Sequence, residues 1–144
     1  MKNKILLTCL LIIGVFTLSI AQDKPDSDEG NWVVIATKDV AFKKGEKDKI
    51  TPYGNERNVS KIKVKCTQGT LKLKKVHVTM DDGTKKDYNA KGVGVLSKGM
   101  SSFAFDMPGN DKKLKTIEIE YDAVGNMLLT KRAKVEILGK KRKN

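Results

Sequence analysis

The chain has 144 residues, of which 29 are Lys or Arg and 17 Asp or Glu, giving a formal net charge of +12. That length suits one ordinary domain and excludes a second. The basic excess bears on solubility and on attraction to anionic surfaces, and carries no information about fold.

Lys2 and Lys4 precede an apolar run from Ile5 to Ile20, the order of an export signal. The run is shorter than the ~20 apolar residues of a membrane-crossing helix, and Thr8, Cys9, Gly14, Thr17 and Ser19 dilute it. Ser19-Ile20-Ala21 offers small residues at a cleavage site, so residues 1–21 read as a signal peptide and the mature chain begins at Gln22. The protein is therefore expected to be exported, to the periplasm or beyond the cell. Removing 21 residues from 144 leaves 123, and losing Lys2 and Lys4 lowers the charge from +12 to +10. A chain of that size buries about two-thirds of its unfolded surface.

Residues 22–31 are polar and turn-rich, a linker. Asp26, Asp28 and Gly30 faintly resemble the start of a calcium loop, but Thr37 stands where the closing bidentate glutamate is needed. Trp32-Val33-Val34-Ile35-Ala36 then opens a domain over residues 32–139, and Val40-Ala41-Phe42 and Asp48 to Thr51 read as short strands. From Val59 to Cys66, Ile62, Val64 and Cys66 face one way while Lys61, Lys63 and Lys65 face the other.

Leu71 and Leu73 occupy odd positions but Val76, Val78 and Met80 even ones, so a β-bulge is expected at Lys74-Lys75. Asp81-Asp82-Gly83 supplies a tight turn, from which Thr84 to Tyr88 returns antiparallel. Gly92 to Leu96 is too rich in glycine to read as a regular strand. Phe103, Phe105 and Met107 alternate before the Pro108-Gly109 turn. Ile117, Ile119 and Tyr121, then Ala133, Val135 and Ile137, mark two further one-sided strands. No apolar stripe has helical spacing. About eight strands, each apolar on one face, must bury those faces together, which predicts an all-β, antiparallel, jelly-roll-like sandwich.

These residues carry a resemblance. The pattern of Trp32, Asp48-Lys49-Ile50, Ile62, Val64, Gly83, Asp106-Met107-Pro108-Gly109, Tyr121 and Gly139 is similar to a domain-of-unknown-function family of small exported bacterial proteins. That family opens on a tryptophan strand and places a leucine-proline-glycine-like turn before a tyrosine strand. Met107 replaces the leucine here, and Lys112 and Lys113 stand where arginine is usual. The resemblance implies a β-sandwich and no reaction. If the basic turn binds something, Lys112 or Lys113 would do it.

The inventory of reactive side chains is short. His77 is the single histidine, set between Val76 and Val78 on the polar side of its strand, with no nucleophile assignable to it. Cys9 leaves with the signal, so Cys66 has no internal disulfide partner and reads as a buried thiol. One histidine and one cysteine fall short of a zinc site. Glu118 and Glu120 share a strand face and read as partners for lysine rather than a glycosidase pair. The expectation is a protein without catalysis, metal or cofactor.

The candidate surface is cationic. Lys61, Lys63 and Lys65 lie on one strand and Lys72 and Lys74 on the next, and pairing of those strands would make a lysine stripe. Such a stripe suits an anionic lipid or acidic polysaccharide of the envelope, bound peripherally and weakened by salt. Aromatic interleaving is absent, which disfavours nucleic acid. Residues 140–144 read as a frayed basic tail. The alternatives are a structural or protein-interaction domain and, more remotely, a carbohydrate-active hydrolase.

Overall fold

The computed structural model describes residues 31–41, 45–124 and 132–143. The expected signal peptide and the linker up to Gly30, with Asp26, Asp28 and Gly30 of the calcium-loop likeness, lie outside them. The strands are β1 (Trp32–Ala41), β2 (Glu46–Ile50), β3 (Val59–Gln68), β4 (Thr70–Met80), β5 (Lys85–Asn89), β6 (Val95–Ser97), β7 (Phe105–Asp106), β8 (Leu114–Ala123) and β9 (Arg132–Lys141). A single 3-10 turn, Lys91–Val93, separates β5 from β6. Every pairing is antiparallel, in one sheet ordered β1-β9-β3-β7 and another ordered β2-β8-β4-β5, with β6 also on β4.

That order is a jelly roll's: apart from the hairpin β4-β5 and its continuation into β6, each connection crosses from one sheet to the other. β5 and β6 occupy one position between them, pairing respectively with Lys75–Thr79 and Thr70–Lys72 of β4. The glycine-rich stretch between them makes the 3-10 excursion. This division gives nine strands where the alternation alone suggested about eight.

Period-two burial runs through the central strands. Ile62, Val64 and Cys66 of β3, Leu71, Leu73, Val76, Val78 and Met80 of β4, Ile117, Ile119 and Tyr121 of β8, and Val135 and Ile137 of β9 are fully buried. Each such aliphatic side chain contributes roughly 1.5–3 kcal/mol on leaving water. The parity change in β4 is a bulge, its register against β8 shifting between Leu73 and Lys75. Thr37, Lys38 and Asp39 pair with β9 and join two apparent strands into the single β1, while a register shift between Val34 and Ala36 buries Ile35 and Ala36 in succession. Opposite it, an ideal Cβ on Gly139 would lie 2.7 Å from Val59 Cγ1 and 2.8 Å from Ile35 Cγ2. Only glycine leaves room there.

Three polar groups finish the core. The Tyr121 hydroxyl donates to Asp48 Oδ2 at 2.6 Å, tying β8 to the edge strand β2. Buried Ser102 accepts from Val64 N at 2.9 Å and donates to Phe103 O at 2.8 Å. The Cys66 thiol is buried and points at the carbonyls of Gln68 and Gly69, and burial raises its pKa. Between sheets, the Tyr88 hydroxyl of β5 donates to the Asp106 carbonyl of β7, and its ring packs 5.3 Å from that of Phe105. Burial and then the Asp106 charge push the Tyr88 pKa up to about 12.

The basic end is not loose. β9 continues to Lys141, two residues into the segment expected to fray, because Lys140 and Lys141 pair with β3. Arg142 is then held by Val59 O at 3.1 Å and Gly109 O at 2.8 Å.

A cationic sheet face as the candidate site

The expected stripe of five lysines does not form. β3 pairs with β7 and β9, whereas β4 pairs with β5, β6 and β8. Lys61, Lys63 and Lys65 thus lie on the outer face of one sheet and Lys72 and Lys74 on that of the other. The reason is local: Gly69, at φ +74°, is the one residue between β3 and β4. A hairpin takes at least two loop residues, so the chain turns the corner between sheets instead of folding back.

The outer face of β2-β8-β4-β5 is neutralised from within. β8 presents Glu118, Glu120 and Asp122 along its length, each facing a lysine across the ladder. Lys47 Nζ lies 3.0 Å from Glu120 Oε1 and Lys74 Nζ 2.9 Å from Asp122 Oδ2. His77 sits in the middle, Nε2 2.8 Å from Glu120 and Nδ1 2.6 Å from Asp87. Burial alone would lower its pKa, but the two carboxylate hydrogen bonds outweigh that and leave it raised. Hydrogen bonds from Lys47 and then His77 lower the Glu120 pKa. Both ring nitrogens are engaged by carboxylates, an arrangement that locks β4, β5 and β8 together and leaves the imidazole no free nitrogen.

Lys112 is similarly occupied. Its ammonium reaches the Asp81–Thr84 turn, 2.9 Å from both Asp82 Oδ2 and Thr84 Oγ1. Hydrogen bonds from Lys112 and from Thr84 draw the Asp82 pKa down to about 2. Lys113 exchanges backbone bonds with Asp81, N to Oδ1 at 3.1 Å and O from N at 2.8 Å, while its side chain stays exposed. The basic turn and the acidic turn hold each other.

The outer face of β1-β9-β3-β7 differs. Lys61 lies directly opposite Lys140, Lys63 opposite Leu138 and Lys65 opposite Glu136. Two like charges facing across a ladder oppose folding. Lys61 meets Asp106, at 3.5 Å and 73% exposed, a surface pair of small worth. Among the described residues, no carboxylate lies within 4.0 Å of Lys63 or Lys65.

An aromatic platform adjoins these cations, which corrects the expectation that this face carries no aromatic side chain. Trp32 pairs with Lys140 and Val34 with Leu138, so their side chains share the outer face. Lys63 Nζ rests 4.4 Å from the Trp32 ring centroid, a contact worth about 0.5–1 kcal/mol at an exposed position. Trp32, Lys63, Leu138 and Ser101 enclose a shallow depression of about 190 Å³. At the end of the same sheet, an open groove of about 600 Å³ runs between Ser60, Asn110 and Lys140 to Lys143. Trp32, Leu138 and Lys140 were not among the candidate lysines. The signal for them was parity: with Ala133, Val135 and Ile137 inward, the apolar Leu138 and the cationic Lys140 must face out.

The molecule is thus a small jelly-roll sandwich with one compensated outer face and one cationic, partly aromatic one. Residues 5–139 match the family described as Domain of unknown function (DUF2541), and the chain belongs to that family. No curated protein matches it. Among solved structures, it is similar to a chain from the work titled "Structural and functional characterization of Pseudomonas aeruginosa AlgX", at 12% identity and a TM-score of 0.45. The alignment covers 74% of this chain and 26% of that one. The chain therefore spans about a quarter of the length of that protein, and a likeness so distant carries no argument.

Proposed function

We propose that this domain is a non-catalytic module that acts after export and binds an anionic ligand of the cell envelope through the outer face of β1-β9-β3-β7. The observation that carries the reading is the gathering of Lys61, Lys63, Lys65 and Lys140 on one outer face, with no carboxylate within 4.0 Å of Lys63 or Lys65 among the described residues. Cations gathered on one face attract a polyanion, which neutralises several of them at once. The other sheet balances its lysines with Glu118, Glu120 and Asp122.

The test is binding to anionic polymers and vesicles across a salt series, comparing wild type with K61Q/K63Q/K65Q. Each lysine that neutralises one backbone charge of a polyanion contributes about 0.7–0.9 to the slope of log affinity against log salt. The triple variant is expected to flatten that slope by about 2. Matched changes at Lys47, Lys49 and Lys72 on the other face should leave it nearly unchanged. Equal loss from both faces refutes a defined site, as does equal binding by both variants.

A further inference from the structure

The geometry points to an acidic polysaccharide as the ligand class, with Trp32 as the platform on which a sugar ring stacks and Lys63 as the cation that meets its carboxylate. This rests on the anion-binding reading above and names its chemistry.

Four observations converge. Trp32 is the only tryptophan of the chain and lies on the polar, solvent side of its sheet rather than in the core. Lys63 reaches to 4.4 Å from its ring centroid across Leu138, so an apolar ring face and an ammonium are presented as one unit. Leu138 and the hydroxyl-bearing Ser101 close the depression around them. The surface is a shallow, open shelf that continues along Lys61 and Lys65, whose alternation sets cations about 6.6–6.8 Å apart.

An indole offers a flat apolar face to the C–H face of a pyranose, a surface that a polyphosphate chain lacks. A uronic acid carries that face and a carboxylate on the same ring, matching the indole and ammonium of Trp32 and Lys63. The cations then follow successive acidic units along the strand. A phosphate-only ligand would use the lysines and ignore the indole. A lipid surface would ask for several projecting apolar side chains, whereas Trp32 is a lone, half-buried indole beside cations.

The test compares polygalacturonate with inorganic polyphosphate of similar charge per unit length, on the full chain, using wild type, W32A and K61Q/K63Q/K65Q. The expected result is that W32A loses tenfold or more in affinity for polygalacturonate and less than twofold for polyphosphate, while the lysine variant loses both. Because the chain has a single tryptophan, wild-type indole emission should change on adding polygalacturonate, a readout independent of any variant's folding. Unchanged emission on polyuronate binding, or equal losses by W32A on both polymers, overturns the sugar platform while leaving anion binding in place. Failure of wild type to bind either polymer removes the anion-binding reading itself.

Discussion

Gly139 offers a sharp test of how β1 is seated, and with it the position of Trp32. A methyl group there would stand 2.7 Å from Val59 Cγ1, 2.8 Å from Ile35 Cγ2 and 3.2 Å from Ile35 Cδ1. Carbon atoms prefer about 3.5–4.0 Å, so two contacts are short by roughly 1 Å. Both neighbours are β-branched and stiff at χ1, and both are fully buried. Overpacking of this kind costs about 1–3 kcal/mol. With a urea m-value of about 1–3 kcal/mol/M, Gly139→Ala should lower the unfolding midpoint by roughly 1 M. Val59→Ala removes one offending methyl and on its own costs roughly 1.5 kcal/mol or more. The double variant should be less destabilised than the sum of the singles by at least about 0.5 kcal/mol. Strict additivity, or a Gly139→Ala protein as stable as wild type, would show that the close approach of β9 to the β1 bulge is not what excludes a side chain here.

Three further outcomes are expected. The His77 pKa is raised on folding, so its contribution to stability is complete below about pH 6.5, the ordinary histidine value, and fades as pH rises through the folded value; urea midpoints from about pH 5 to about pH 9 should show this decline in wild type and not in His77→Gln. Asp82, held at about 2, should titrate closer to the ordinary value of about 3.9 in Lys112→Gln when followed by carboxyl NMR, and an unmoved titration would sink the pairing of the two turns. Tyr121→Phe removes the donor to Asp48 and should cost about 1 kcal/mol with no loss of polyanion affinity, since Tyr121 is fully buried in the core on the other sheet, away from the outer cationic face.

Alternation alone carried the inner faces of β3, β4, β8 and β9, because each strand is apolar on one side only. It also carried the bulge in β4, since a parity change leaves few other geometries open. It could not carry sheet membership. Lys65 and Lys72 are close in sequence and look like neighbours, yet the one-residue link at Gly69 sends them to opposite outer faces. The distinction between a hairpin and a corner turned on whether one residue or two separates the strands, finer than strand ends can be read from a pattern. Polar Thr37-Lys38-Asp39 hid the continuity of β1, and the bulge at Ile35 hid the outward parity of Trp32. The candidate surface was thus half legible: Lys61, Lys63 and Lys65 came from the alternation of β3, whereas Trp32, Leu138 and Lys140 became neighbours only through the pairing of β1 with β9.

β9 lies at the centre of its sheet, between β1 and β3. The first strand of the domain therefore has no partner in that sheet until residues 132–141 arrive, about a hundred residues after β1 leaves the ribosome. A nascent chain lacking this segment must leave the ladder edges of β1 and β3 open and the Ile35–Gly139 contact unmade. Folding is then an event of the completed chain rather than a progressive one, and it depends on contacts between distant residues, the kind that form slowly. Until β9 arrives, the sheet β1-β9-β3-β7 lacks the strand that joins β1 to β3.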